Sequence, residues 1–200
     1  MRMWSEERRS GTLEYVHAQP VPLWHFIVGK FLACLGLLLA ALLITLPLPV
    51  TVALLADLDW GPVGAGYLAT FLLGAAYLSM GLFVSARSDN QIVSLISAAA
   101  LCGVFYLLGT STVTDFFGIQ AAQWLRQLGT GARFESITRG VIDLRDLYYY
   151  ASLVAVFLVL NALVLERERW SRAAAGNHGG TRLLAGLLIA NALAGNLWLG

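Results

Sequence analysis

The chain has 200 residues, of which 58% are apolar and only 12% charged, and its formal charge is +1. Soluble domains carry about a quarter charged residues, so a mean hydropathy of +0.70 argues against an ordinary soluble enzyme and for an all-α integral membrane protein. The near-neutral balance also predicts no nucleic-acid partner and no attraction to acidic substrates.

Residues 1–25 form a polar opening with Arg2, Trp4 and the string Ser5, Glu6, Glu7, Arg8, Arg9, Ser10, Gly11, Thr12, Leu13, Glu14. They lack the basic stub and short apolar core of a signal peptide. The pattern predicts a short charged helix, a break at Gly11, and a further turn in which Glu14 suits the positive end of the helix dipole; Pro20 and Pro22 end it. Physics alone fits either a solvated juxtamembrane helix or an element that a partner grips.

The membrane region is expected over residues 26–170. Its first apolar run, 26–56, is about 45 Å long as a helix, too long for one straight crossing, and Pro47 and Pro49 predict a kink or an end near Leu46. The second run, 62–86, places Gly66, Thr70, Gly74 and Gly81 on one face for close helix contact. The third, from Ile92 to about Thr110, carries Ser94, Ser97, Ala98 and Cys102. The fourth, 147–165, opens with Tyr148, Tyr149 and Tyr150, which fit an aromatic belt at a membrane surface. A fifth apolar run, 183–199, follows a polar linker and meets the end of the chain without a polar flank, so a fragment is expected.

Arginine placement sets the orientation. Arg2, Arg8, Arg9, Arg87, Arg167, Arg169 and Arg172 fall on one side, taken as cytoplasmic, while the opposite turn at Asp57 and Asp59 has no basic residue. The outer segment, 113–146, mixes Arg126, Arg133, Arg139 and Arg145 with Asp115, Glu135, Asp143 and Asp146. Phe117, Ala121, Trp124, Leu125 and Leu128 predict a short amphipathic surface helix there. Beyond it, Glu135, Arg139 and Asp143 recur every four residues, which pairs charges along a helix leading into the fourth span, or simply makes a solvated face.

Several chemistries lack their working parts. The four apolar runs hold no Asp, Glu or His, which disfavours a proton-coupled carrier or an aspartyl intramembrane protease; Lys30 sits where it can snorkel to the headgroups beside Trp24 and His25. His17, His25 and His178 have no metal-site spacing. Gly29-Lys30 has Phe31 where a phosphate loop needs Ser or Thr, and Trp24 where its first glycine belongs. Cys34 and Cys102, inside apolar runs, read as buried thiols. No cofactor and no catalytic residue is expected, so any energetic work must come from a partner.

The string from Glu6 to Glu14, a proline about six residues later, and Gly29-Lys30-Phe31-Leu32-Ala33 resemble the coupling region of ABC-2 type transporter permeases. The nearest likeness is to the branch described as gliding-motility-associated or nitrous-oxide-operon-like. Matches continue in order at Asp59-Trp60-Gly61-Pro62, Gly66-Tyr67-Leu68, Gly81-Leu82-Phe83, Asn90-Gln91-Ile92-Val93, and from Phe134-Glu135 through Arg139-Gly140-Val141-Ile142-Asp143-Leu144-Arg145-Asp146. The chain departs from that pattern at Tyr15 to Gln19, at Arg87-Ser88-Asp89, and at Arg133, where the family tends to have His.

The resemblance implies an ABC-2 type, type V exporter-like helical bundle in a bacterial cytoplasmic membrane. It implies ATPase coupling through Glu6, Glu7, Arg8, Arg9, Gly11, Thr12 and Glu14, and an outer helix motif of Glu135, Arg139, Asp143, Arg145 and Asp146. Expected partners are a separate ATPase subunit, a second permease copy, membrane lipid, and an auxiliary gliding-motility-type component to which residues 171–200 would lead. The alignment further implies that the first two spans of such permeases are missing, the four complete runs here being spans three to six and the fifth truncated. The rival readings are a non-transporting membrane anchor and an ion-coupled carrier.

Overall fold

A computed structural model describes residues 23–88, 90–110, 125–140, 143–172 and 179–199. The opening segment, with Glu6, Glu7, Arg8, Arg9, Gly11, Thr12 and Glu14, lies outside the described residues, as does most of the expected surface helix. Among the described residues the helices run in the order α1 Leu23–Thr45, α2 Pro47–Leu55, α3 Trp60–Arg87, α4 Gln91–Leu108, α5 Thr130–Thr138, α6 Leu144–Arg172 and α7 Gly179–Leu199. Four membrane-span candidates among the described residues, long and apolar enough to cross, come from α1 with α2, α3, α4 and α6.

Local chemistry sets the boundaries. Pro47 has no N–H to offer the Leu43 carbonyl, and the Leu46 amide takes that carbonyl instead at 3.2 Å, so α1 stops and α2 restarts with Pro47 in its first turn. Thr45 Oγ1 closes the gap, donating to the Leu42 carbonyl at 2.7 Å and meeting the Tyr67 hydroxyl at 3.0 Å. Asp59 caps α3 by accepting from the Gly61 amide at 3.0 Å, and Asn90 caps α4 by accepting from the Ile92 amide at 3.0 Å.

Two buried clusters give the chain directions. One joins Leu23, Ile27 and Phe31 of α1 to Leu82 and Ala86 of α3 and Ala162 and Leu165 of α6. The other joins Ala65, Ala69 and Ala76 of α3 to Ile137 of α5 and Tyr149 and Tyr150 of α6. Hence α1 runs antiparallel to α3, while α3 and α6 run parallel. The bundle has a Leu23 end, which also carries Arg87 and Leu165, and a Trp60 end, which carries α5. Helix α7 lies antiparallel on α6: Asn196 donates to Ser152 Oγ at 2.7 Å, and Ala185 and Leu188 line a common cleft with Ala162 and Leu163.

Helix α3 is central, with 44% of its most apolar stretch buried, against 6% for that of α1 with α2. The expected small-residue face of α3 is corrected in part. Thr70 is exposed and Gly66 faces open space, whereas Ala65, Ala69 and Ala76 are the buried ladder. Gly81 is buried, and Gly74 sits so close to Leu38 of α1 that a Cβ would meet its Cδ2 at 2.5 Å. Periodicity presents several small-residue faces on α3; the bulk of Tyr149, Tyr150 and Ile137 selects the alanine one.

The link from α4 back to α6 is tighter still. A Cβ on Gly129 would lie 2.0 Å from the Gly109 amide nitrogen, and one on Gly131 would lie 2.5 Å from the Tyr106 carbonyl oxygen. These are backbone neighbours that cannot swing aside. Gly129→Ala is therefore expected to destabilise the purified protein by about 2 kcal/mol or more, lowering Tm by roughly 5 °C. Gly66→Ala, with open space around it, should leave Tm unchanged or raise it; equal behaviour of the two variants would contradict this packing.

Candidate functional site

The polar chemistry of the described residues gathers at the Trp60 end, where α5 sits against α3, α4 and α6. Nine residues make a helix of about 13 Å, too short to cross a bilayer. Its first residues, Thr130 and Gly131, are buried, so polar atoms there find partners within the protein. Tyr150, 1% exposed, donates its hydroxyl to the Thr130 carbonyl at 3.0 Å; Tyr149 donates to the Leu128 carbonyl; and the Tyr77 hydroxyl meets Thr130 Oγ1 at 3.1 Å. Three tyrosines from two parallel spans thus hold the entrance to α5.

Charge completes the seat. Arg133 Nη1 donates to Asp146 Oδ1 at 2.8 Å, with side chains only 12% and 9% exposed, and its guanidinium carbon stands 4.6 Å from the Tyr149 ring centroid. Arg133 Nε is buried without a hydrogen-bond partner, so Asp146 and the Tyr149 face are the compensation for placing this cation in the bundle. Gly140, with φ +89°, reverses the chain between α5 and α6, a conformation glycine adopts without strain. Asp143 then accepts from the Arg145 amide at 3.1 Å and starts α6.

The outer residues read from the sequence are thus separated by the fold. Glu135 and Arg139 are exposed and 4.0 Å apart, a solvated pair worth only tenths of a kcal/mol. They share no helix with Asp143, because α5 ends at Thr138 and Gly140 turns the chain. The expected helix of alternating charges is corrected accordingly. Asp143 and Arg145 are exposed, and Asp146 alone of the five is buried. Its partner Arg133 was not singled out by spacing, since the pair spans a turn that spacing does not show.

The tyrosine row is corrected too. Tyr149 and Tyr150 are core residues, and Tyr148 packs on α7, where a Cβ at Gly195 would meet its hydroxyl. Helix α6 also begins three residues before the expected run, which brings the Asp146 carboxylate inside a span candidate read as free of acids. At the Leu23 end, Lys30 is half-buried on α1 and Glu166 half-buried on α6. Among the described residues no group of three His, Cys, Asp or Glu is placed to hold a metal ion, and Cys34 and Cys102, both half-buried, are not joined in a disulfide.

A helical bundle with four apolar span candidates among the described residues has the architecture of a multi-pass membrane protein. The family described as ABC-2 family transporter protein matches residues 1–193, and the chain belongs to that family. It is accordingly a permease, the membrane component of an ATP-binding-cassette transporter. No curated protein and no solved structure matches it.

Removing one partner of the buried pair should cost far more than removing both. Asp146→Leu is expected to destabilise by about 3–5 kcal/mol, and Arg133→Met with Asp146→Leu by clearly less, read by thermal unfolding in detergent. Additive losses would show that the pair does not couple α5 to α6.

Proposed function

We propose that this permease moves its substrate with energy from ATP hydrolysed on a separate ATPase subunit, working beside a second permease copy in a bacterial cytoplasmic membrane. The observation that carries this reading is the family match across residues 1–193, which spans both the polar opening and the bundle. The Leu23 end is then cytoplasmic. Residues 5–19 dock in a cleft of the ATPase through Glu6, Glu7, Arg8, Arg9, Gly11, Thr12 and Glu14, and closure of two ATPase subunits tilts the helices that follow. The ordered sequence matches support the gliding-motility-associated or nitrous-oxide-operon-like branch, and α7 would lead toward an auxiliary component of that type. The outer residues Glu135, Arg139, Asp143, Arg145 and Asp146 would orient the segment between α4 and α6.

The docking step is tested by reversing charge in the opening. Glu6→Lys with Glu14→Lys should abolish copurification of the ATPase subunit and ATP-dependent substrate uptake or release in vesicles. Unchanged association and transport would overturn it. A complex that binds the ATPase yet never moves substrate would be an anchor, and transport indifferent to ATP depletion would be ion-coupled.

A further inference from the structure

A cleft of about 160 Å³ opens at the Leu23 end between α1, α6 and α7. Its walls are Val159 and Ala162 of α6 and Ala185 and Leu188 of α7, with Trp24 of α1 on one side and Glu166 at the close of the span. Glu166 Oε2 is buried with no hydrogen-bond partner, although burying a carboxylate oxygen is costly unless something compensates it. None of the described lining residues is a Lys or Arg.

We propose that this cleft binds an organic ammonium group carrying an apolar substituent. Each part of the cleft selects for that chemistry. The Glu166 carboxylate, with Oε2 unpartnered, supplies the counter-charge, and the indole of Trp24 beside it can attract a cation through its quadrupole. The aliphatic walls do not suit a bare metal ion: Ca²⁺ needs about six or more oxygen ligands and Mg²⁺ an octahedral set, whereas a single carboxylate stands among the described lining residues. They accept methyl or alkyl groups instead. An apolar cavity of about 150 Å³ holds benzene, so this cleft admits a head of roughly six heavy atoms. Its place at one end of a span fits either an ethanolamine-type lipid headgroup or a soluble alkylammonium ion, which share this chemistry. The site does not depend on ATPase coupling, and its failure would leave that reading untouched.

The test uses the full chain in nanodiscs of phosphatidylglycerol, titrated calorimetrically with butyltrimethylammonium against empty nanodiscs. Saturable binding is expected, weakened about ten-fold or more by Glu166→Gln and several-fold by Trp24→Leu, with Trp24→Phe recovering part of the loss. The uncharged alcohol 3,3-dimethylbutan-1-ol, whose tert-butyl group matches the trimethylammonium head in shape but carries no charge, should not compete. Absence of saturable binding, equal affinity in Glu166→Gln, or equal competition by the alcohol would each overturn the proposal. Should Glu166→Gln fail to fold, Trp24→Leu and the alcohol still decide it. Repeating the titration in phosphatidylethanolamine nanodiscs assigns the source: a fall in apparent affinity shows that the lipid headgroup occupies the cleft, and unchanged affinity shows that a soluble cation does.

Discussion

A polar group buried within a bundle has no water to bond, and that constraint governs the described residues between α4 and α6. Residues 125–138 are too few to span, and carbonyls at the start of α5 are met by side chains from a neighbouring helix. Tyr149 and Tyr150 meet those of Leu128 and Thr130, and Tyr77 reaches the Thr130 hydroxyl. This is possible only because α3 and α6 run parallel and adjacent, with alanines between them where larger residues would hold the tyrosines away from α5. Arg133 and Asp146 then fix the turn of α5 relative to the start of α6.

The same arrangement explains how burial is distributed. Helices α3 and α6 hold most of the core, while α1 and α4 expose apolar rows such as Leu37, Leu43 and Ile44, or Ile92, Val93 and Ile96. In water such rows would be an aggregation hazard. In a membrane they are the surface that hydrocarbon requires, and association between helices comes from close packing, as at Gly74 against Leu38.

The amino-acid sequence carries the spans plainly, because unbroken apolar length and the prolines at 47 and 49 act through the backbone alone. Asp59 and Asn90 sit at helix starts for the same local reason. What it hides is tertiary. Three consecutive tyrosines look like an interfacial belt until a carbonyl is supplied for two of them from residues about twenty positions earlier. Asp146 looks like one charge among several until Gly140 folds Arg133 back upon it. The alanine ladder of α3 is indistinguishable by period from the Gly66 and Thr70 positions beside it, and only the shape of the neighbour chooses. Glu166 lies one residue past the expected end of the fourth run, and only the position of α7 makes it part of a cleft.

The two ends of the bundle thus have different characters. At the Trp60 end, glycine contacts, tyrosines and one ion pair lock a short helix in place. At the Leu23 end, the helices begin and finish, and there the polar opening joins α1, the element through which an outside motor would act. The most direct test of that account is the ATP hydrolysis rate of the partner ATPase subunit, measured alone and again with the permease in nanodiscs. The account predicts a several-fold change in rate that depends on residues 5–19; an identical rate with and without the permease would contradict it.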